Sequence, residues 1–253
     1  MKLTIGITTF SKRFDMLSKL IGQIRTYITD PIVVVVNGEQ QIPGGCSVNF
    51  DDNYRKKVLE LCSSYNDVYP VFFIEMRGLS KLWNTIINTS ITNDILLLND
   101  DIEVEVEAHP EEHLYRYIAS DDFSGITRIN GSFSHFLAKK DIINQIGYFD
   151  ERLLGFGEED GDIYYRLLKN NMQLSDIQVP GFFNIVSDIR HDHVKRGIGK
   201  YSKFNRDYIY EQKYETDPES PYRGMFDDHK KQIIEDINCY PLEEFYMNRK
   251  GEV

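Results

Sequence analysis

A cluster of carboxylates lies in the second half of the sequence, between a glycine-containing stretch and an apolar pattern of helical spacing. Glu158, Glu159 and Asp160 would stand at the N-terminus of that helix, where unpaired backbone N–H groups favour negative charge and keep a carboxylate ionised. Asp162 and Arg166 are four residues apart and can pair on one helix face. Such a carboxylate can serve as a general base, but simple helix capping is the competing interpretation.

A second acidic group, Asn99-Asp100-Asp101, directly follows the apolar run Ile95–Leu98. Carboxylates at the end of a strand can hold Mg²⁺ or Mn²⁺, although an Asx turn that closes the strand explains the same residues. His191 is a further candidate ligand, because imidazole suits Mn²⁺ better than Mg²⁺. His193 would lie on the same face of an extended segment and competes for that role.

Basic residues stand where a diphosphate could be bound. Arg13 follows the first predicted strand, and Arg77 and Lys81 come before the strand that ends at Asn99. Cations at these positions could offset phosphate charge, or they could simply be solvated at the start of a helix. The sequence has no glycine-rich phosphate loop of the Walker or dinucleotide type, so a nucleotide would be held by a metal ion and side chains.

The order of the predicted elements explains how these residues could meet. The first hundred residues alternate strand and helix about four times, which predicts an α/β fold with a mostly parallel central sheet flanked by helices. Ligands bind beyond the carboxyl ends of such strands, so one rim would collect Thr8-Thr9, Asn37-Gly38 and Asn99-Asp100-Asp101. The later pattern predicts a partly exposed strand at 103–107 and further strands near 123–129, 174–179 and 183–189. It predicts helices near 111–119, 140–146, 204–214 and 227–237. After the carboxylates it predicts another helix, with Ile163, Leu167 and Leu168 on its apolar stripe.

Composition excludes several classes of function. The chain has 253 residues, is 41% hydrophobic and carries a formal net charge of −11. Such an acidic protein is not expected to bind nucleic acid or an anionic membrane in general. No apolar run approaches the roughly 18 residues of a membrane span, and the N-terminus lacks a signal-peptide pattern. Three widely spaced cysteines are typical of reduced thiols. We expect a cytoplasmic protein with at most peripheral membrane association.

With these residues in place, the sequence resembles the inverting, metal-dependent glycosyltransferases of the GT-A fold. The segment 8–13 resembles the first-strand nucleotide motif of family-2 enzymes, and Asn99-Asp100-Asp101 stands where their Asp-X-Asp motif is expected. Residues 147–162 follow the pattern Gly-X-Phe-Asp-Glu…Glu-Asp-X-Asp. The carboxylate motif over 155–167 is most similar to that of the β-1,4-galactosyltransferases, and Ile189-Arg190-His191 resembles their Met-Ile-Arg-His. The likeness covers about residues 1–200.

The resemblance implies an activity and a role for each matching residue. It implies a GT-A domain over 1–200, divided into a nucleotide-sugar half (1–101) and an acceptor and catalytic half (102–200), followed by a helical extension (201–253). It implies Mn²⁺ or Mg²⁺, a UDP-sugar donor and a glycan or glycolipid acceptor in polysaccharide biosynthesis. The implied base is Asp160; the metal ligands are Asp101 and His191; the nucleotide or diphosphate contacts are Thr8, Thr9, Phe10, Arg13, Asn37, Gly38, Arg77, Lys81, Asn99 and Asp100; and the sugar contacts are Phe156, Gly157, Glu158 and Glu159.

Three departures from the family pattern keep other functions open. Asn99 replaces the first aspartate of the metal motif, Asp188 stands where the related enzymes have a metal-binding methionine, and Asn37 replaces a base-reading aspartate. A retaining transferase or a nucleotidyltransferase on a similar sheet is one alternative. The other is a catalytically silent domain that binds a nucleotide sugar or a glycan, which Asn99 motivates.

Overall fold

The computed structural model describes residues 3–9, 13–38, 52–74, 77–185 and 205–206. Strands and helices alternate over the first hundred residues, as the sequence predicts. They are β1 (Thr4–Thr9), α1 (Phe14–Arg25), β2 (Ile32–Val36), α2 (Asp52–Ser63), β3 (Val68–Phe72), α3 (Leu79–Thr89) and β4 (Asp94–Asn99).

The second half is less regular. Its elements are β5 (Ile102–Val104), a 3₁₀ helix (Val106–Ala108), α4 (Pro110–Ile118), β6 (Ile126–Ile129), β7 (Ser132–Lys139), α5 (Lys140–Ile146), α6 (Glu159–Lys169), β8 (Ser175–Ile177) and β9 (Phe182–Asn184). The strand predicted at 103–107 therefore ends early, in a 3₁₀ turn. The helices predicted at 204–214 and 227–237 lie outside the described residues, apart from 205–206. Within the described parts of the chain, none of the helices has the length and apolar character needed to cross a bilayer.

Seven strands form the central sheet, in the order β3-β2-β1-β4-β7-β6-β8. The first four are parallel, which confirms the predicted βαβ half. Strand β7 runs antiparallel to β4 and to β6, and β8 is parallel to β6. The short strands β5 and β9 pair separately in an antiparallel ribbon. The carboxyl ends of β1, β2 and β4 therefore lie on the same side of the sheet, next to one another.

Strand β7 was not expected from the sequence, in which the only element predicted between 130 and 146 is the helix at 140–146. Its eight residues pair with β4 and β6 on both sides. Ser132, Ser134 and His135 interrupt the apolar pattern, while Phe136 and Leu137 are buried on opposite faces of the sheet. Pairing on two sides and burial on two faces favour the strand over the weak local propensity of the serines.

Helices cover both faces of the sheet, which explains the uninterrupted β-branched run of β2. Val34 and Val36 contribute to the core under α1, α2 and α4, while Val33 and Val35 contribute to the core under α3, α5 and α6. Full burial of a valine side chain stabilises the fold by about 1.5–3 kcal/mol. The buried run holds β2 in register and thereby fixes the position of its polar carboxyl end.

Candidate active site

Polar residues at the ends of β1 and β4 lie side by side, because the two strands are parallel neighbours. Thr8 Oγ1 donates a hydrogen bond to Asn99 Oδ1 at 2.8 Å, and Thr9 Oγ1 donates to Asp100 Oδ2 at 2.7 Å. The Asp100 amide also donates to the Thr8 carbonyl at 3.0 Å. The rim predicted at the carboxyl ends of the strands is therefore present and internally hydrogen-bonded.

Arg13 enters this rim from the start of α1. Its Nη1 donates to Asp100 Oδ1 at 2.6 Å and lies 3.8 Å from Asp101 Oδ2. Tyr54 of α2, which sequence reasoning missed, also joins the rim: burial raises the pKa of its phenol to about 12, and a hydrogen bond with Thr9 acts against that shift. These contacts fix the orientation of the Asp100 carboxylate.

Asn37 binds the chain that crosses from β3 to α3. Its Oδ1 accepts hydrogen bonds from the amides of Gly38 (2.9 Å) and Arg77 (2.8 Å), and its Nδ2 donates to the Arg77 carbonyl at 2.8 Å. Two residues later, the Leu79 amide donates to the Gly155 carbonyl at 2.7 Å. Asn37 thus links the rim to the glycine stretch before α6, and its contact with a nucleotide stays a prediction.

Asp101 is the group in the rim that best fits a metal ion. Its Oδ1 is buried and has no hydrogen-bond partner among the described residues. Burial raises the pKa of this carboxyl to about 6, the charge of Asp100 adds to the shift, and Arg13 opposes it. A buried carboxylate oxygen without a donor is costly in an apolar setting, and a hard cation would compensate it.

Several residues predicted for the metal and nucleotide contacts lie outside the described residues: Phe10, Asp188, His191 and His193. Within the described ranges, His109, Glu111 and Glu112 lie close enough together to share one ion. This group stands at the start of α4 and is mostly exposed, and exposed acidic groups are common without a metal. Asp101 is not part of it.

The predicted diphosphate contact Lys81 forms an ion pair with a residue that sequence reasoning had not singled out. Lys81 Nζ lies 3.0 Å from Glu151 Oε2, and Glu151 is fully buried. Asn84 Nδ2 donates to Glu151 Oε1 at 2.9 Å, while the Asn84 side chain also exchanges two hydrogen bonds with the backbone of Phe149. The segments 81–84 and 147–151 therefore interlock through these bonds.

The carboxylate loop, residues 154–160, is shaped by left-handed backbone. Gly155 has φ 58° and Gly157 has φ 119°, both readily adopted by glycine. Glu158 follows with φ 75° at the N-cap of α6. Helix α6 starts at Glu159, as predicted, and Asp160 in its first turn is exposed. Asp160 Oδ1 accepts a hydrogen bond from the Gly161 amide at 2.9 Å, so its carboxylate is held at the helix start with solvent beside it.

Glu159 does not follow the expectation that the helix start keeps the carboxylates ionised. Its side chain is 4% exposed, and Oε1 has no hydrogen-bond partner among the described residues. Burial raises the pKa of Glu159 to about 8, against the hydrogen bond that its Oε2 accepts from the Gly157 amide at 2.6 Å, and the charges of Asp160 and Glu158 add to the increase. Desolvation outweighs the helix terminus at this position.

The ion pair predicted between Asp162 and Arg166 is present and buried, with Arg166 Nη2 3.0 Å from Asp162 Oδ2. Arg166 Nη1 also donates to the carbonyls of Ile146 (3.1 Å) and Gly147 (2.7 Å), which connects α6 to the end of α5. The predicted apolar stripe is wrong at Leu168, which is 45% exposed. Arg166, two positions earlier and nearly opposite Leu168 on the helix, belongs to the buried face instead.

Two basic residues from distant parts of the chain face the carboxylates. Arg128 of β6 forms a bidentate ion pair with Asp176 (2.8 and 2.6 Å). Its pKa is raised, first by those hydrogen bonds and further by the charges of Asp176 and Asp160. Arg206 Nη2 lies 3.0 Å from Glu158 Oε1. Sequence reasoning missed both, because neither belongs to a motif.

Asn205 makes three hydrogen bonds to the carboxylate loop and is also without a sequence signal. Its Oδ1 accepts from the Leu154 amide at 2.7 Å, and its Nδ2 donates to the carbonyls of Leu154 (2.8 Å) and Gly157 (2.9 Å). The side chain is completely buried. A residue some fifty positions downstream therefore holds both ends of the segment that contains Phe156.

Several solved structures have a similar architecture. The mannosyltransferase PcManGT from Pyrobaculum calidifontis, in complex with GDP-Man and Mn²⁺, matches with a TM-score of 0.61 at 12% identity, over 81% of this chain and 63% of that chain. Glucosyl-3-phosphoglycerate synthase from Mycobacterium tuberculosis, in complex with Mn²⁺, UDP and phosphoglyceric acid, matches with 0.54 at 6% identity, over 81% and 78%. The catalytic domain of Drosophila β1,4-galactosyltransferase 7, in complex with xylobiose, gives 0.49 at 13% identity, over 76% and 73%.

These likenesses concern the fold, because sequence identity is low throughout. The chain spans about 63% of the length of the Pyrobaculum calidifontis mannosyltransferase. No protein-family model matches the sequence. The search of curated proteins gave no match either.

Proposed function

We propose that this chain, which has the GT-A fold of these glycosyltransferases, is a metal-dependent inverting glycosyltransferase. It would transfer a sugar from a nucleoside-diphosphate donor, with UDP-sugar as the first candidate, to a hydroxyl of a glycan or glycolipid acceptor in polysaccharide biosynthesis. Asp160 would be the general base. Two neighbours of this fold were solved with Mn²⁺ and a nucleotide or nucleotide sugar, which supports the substrate class.

The observation that carries the proposal is the buried Oδ1 of Asp101, which has no hydrogen-bond partner in the described parts of the chain and lies beside a hydrogen-bonded strand-end rim. A divalent cation held by Asp101, together with His191 as a predicted second ligand, would supply charge stabilisation to a leaving diphosphate. Arg13 already fixes Asp100 next to it at 2.6 Å. The rim therefore combines an oxygen ligand in need of a cation with side chains that are held in one orientation.

The carboxylate loop would supply the second half of the reaction. In an inverting transfer, the acceptor hydroxyl attacks the anomeric carbon while a carboxylate on that side takes its proton. Asp160 fits this task because its carboxylate is exposed and held at a helix start. Glu159 is buried next to it with one oxygen free of hydrogen bonds among the described residues. With a pKa raised to about 8, it would be protonated at neutral pH and could donate that proton to a sugar oxygen.

The link between the two halves supports a single site. Asn37 of the rim binds Arg77, and Leu79 binds Gly155 of the carboxylate loop. Arg77 and Leu79 are two positions apart at the start of α3, so this short segment connects the rim to the loop. Such a connection would hold donor and acceptor groups at a fixed separation. Fixed geometry of this kind contributes a large part of catalysis in two-substrate reactions.

A silent nucleotide-sugar-binding domain is the alternative that a specific observation favours. Asn99 replaces a carboxylate of the metal motif, and its Oδ1 already accepts a hydrogen bond from Thr8. This alternative predicts nucleotide binding without turnover, whereas a transferase releases UDP or GDP when donor and acceptor are both supplied. Product NMR then separates inversion from retention at the anomeric carbon, and the retaining alternative would give the donor's configuration.

The first experiment is a thermal-unfolding screen of the full chain with UDP, GDP and CDP, each with and without Mn²⁺ or Mg²⁺. A ligand at a hundredfold excess over its Kd stabilises the folded state by about 2.7 kcal/mol. We expect one nucleotide to raise Tm and to do so only with a divalent ion. If no nucleotide shifts Tm at millimolar concentration with either ion, the proposed function is wrong.

A further inference from the structure

Residues 205–206 contact the carboxylate loop, although they lie beyond the part of the sequence that carries the family resemblance. Asn205 makes three hydrogen bonds to backbone atoms of Leu154 and Gly157, at 2.7 to 2.9 Å. Arg206 reaches the neighbouring Glu158 at 3.0 Å. Because the Asn205 side chain is completely buried, water does not compete for these bonds.

The loop benefits from such support because two of its seven residues are glycine. Gly155 and Gly157 carry no side chains that could anchor it, and both adopt left-handed backbone. Glycine is the residue with the most backbone freedom to lose, so this segment is costly to hold in one conformation. Asn205 binds the backbone of Leu154 and Gly157, which lie before and after Phe156 in the sequence. The hydrogen bond from Leu79 to Gly155 supports the same segment from the start of α3.

We propose that Asn205 is a positioning residue that holds the carboxylate loop, and through it Asp160, in the geometry required for transfer. The loop and residues 205–206 are then parts of one functional site. The effect on catalysis rests on the glycosyltransferase function proposed above; the effect on the loop does not.

The experiment compares the wild-type chain with Asn205→Asp and Asn205→Ala. Asn205→Asp keeps an oxygen for the Leu154 amide and loses both donated bonds. Asn130→Asp is the matched control, because Asn130 also donates to two carbonyls, those of Val179 and Phe182, and accepts from the Val179 amide. Amide hydrogen exchange over 150–162, Kd for UDP with Mn²⁺ and kcat for transfer are measured for each.

For Asn205→Asp and Asn205→Ala we expect faster exchange confined to 154–160, and a loss of kcat on the order of a hundredfold, the scale of a small misplacement of catalytic groups. Kd for UDP with Mn²⁺ should stay within about twofold of the wild-type value. Asn130→Asp should lower Tm and change neither loop exchange nor kcat beyond a few-fold.

Unchanged exchange over 154–160 overturns the proposal, as does a loss of kcat no larger than that of Asn130→Asp. If neither Asn205 variant folds, the wild-type chain decides: a Leu154 amide that exchanges as fast as an unstructured peptide contradicts the bond to Asn205. If the wild-type chain binds no nucleotide and transfers no sugar, the proposed function fails, and loop exchange alone still tests the positioning role.

Discussion

The strand-end rim and the carboxylate loop hold their acidic groups in different ways. In the rim, Asp100 accepts from Thr9 and from Arg13 at 2.7 and 2.6 Å; parallel strands in register bring Thr9 beside Asp100, and the start of α1 supplies Arg13. In the loop, glycines with positive φ lead to an exposed Asp160 and to a buried Glu159, whose Oε1 has no hydrogen-bond partner among the residues that the structure describes. The rim is supported by the sheet, whereas the loop depends on distant residues, Leu79 and Asn205.

The difference corresponds to two chemical tasks. A site for a metal and a diphosphate benefits from charges fixed before the ligand arrives, because preorganised groups need no rearrangement. A site where an acceptor hydroxyl is deprotonated needs an accessible carboxylate beside a less polar, partly dry environment. The contrast therefore predicts that changes in the loop affect turnover or pH dependence, while changes in the rim affect ligand-linked stability.

The largest effect is expected for Asp160→Asn. Loss of a general base typically costs about a hundred- to ten-thousand-fold in rate, so transfer should nearly cease while UDP still binds with Mn²⁺. Asp141→Asn is the matched control, because Asp141 is also exposed in a first helical turn and accepts from the next amide, at 2.8 Å. Steady-state kinetics and calorimetry measure the two effects, and more than about a tenth of wild-type turnover in Asp160→Asn would refute the assignment.

Glu159→Gln is expected to change how stability depends on pH. The folded state binds this proton more tightly than the unfolded state, since the pKa rises from an ordinary 4.5 to about 8. The wild-type chain should therefore lose stability from this group as pH rises from about 4.5 to 8, at about 1.4 kcal/mol per pKa unit. Glutamine removes that loss. Urea unfolding at pH 5 and pH 8 should therefore show that the unfolding free energy of the variant increases relative to that of wild type only at the higher pH. Equal differences at both pH values would contradict a protonated Glu159.

Asp101→Asn tests the rim through its ligand. We expect the Mn²⁺-dependent part of the stabilisation by UDP, about 2.7 kcal/mol at a hundredfold excess over Kd, to be lost. Asp94→Asn, at the opposite end of the same strand, is the control and should keep it. Chelation of the metal should have the same effect on wild type as the Asp101 substitution. If Asp101→Asn retains the full Mn²⁺-dependent shift in Tm, the metal lies elsewhere.

The smallest effect concerns the link between the two regions. A Cβ on Gly78 would lie 2.6 Å from the Leu153 carbonyl oxygen, so Gly78→Ala must displace the loop from the α3 entrance. Crowding of this kind costs about 1–3 kcal/mol in unfolding free energy. At Gly125, a Cβ would meet a side-chain methyl of Ile142 at an ordinary 3.6 Å, so Gly125→Ala should change stability little. Equal unfolding free energies for the two variants would show that the link tolerates displacement.

The sequence alone determined the fold class and most of the rim. Apolar runs that end in Thr8-Thr9, Asn37-Gly38 and Asn99-Asp100-Asp101 predicted parallel strands with polar carboxyl ends, and register then brings those ends together. The GT-A fold expected from the motifs is confirmed. The site roles, the inverting mechanism, the UDP-sugar donor, the cytoplasmic location and the domain boundary at residue 200 stay predictions.

Only the tertiary structure decided how the carboxylate loop is held and which of its acids is buried. Glu159 and Asp160 are adjacent carboxylates in the sequence, yet one is enclosed and the other faces solvent. The local pattern predicted the start of α6 correctly, but the desolvation of the Glu159 carboxylate depends on which distant residues pack against it. Asn205 illustrates the same limit, because its contact with the loop joins residues about fifty positions apart and leaves no periodic signal in the chain. Regular strands repeat their geometry and can be predicted from short-range pattern, whereas long-range support of an irregular loop cannot.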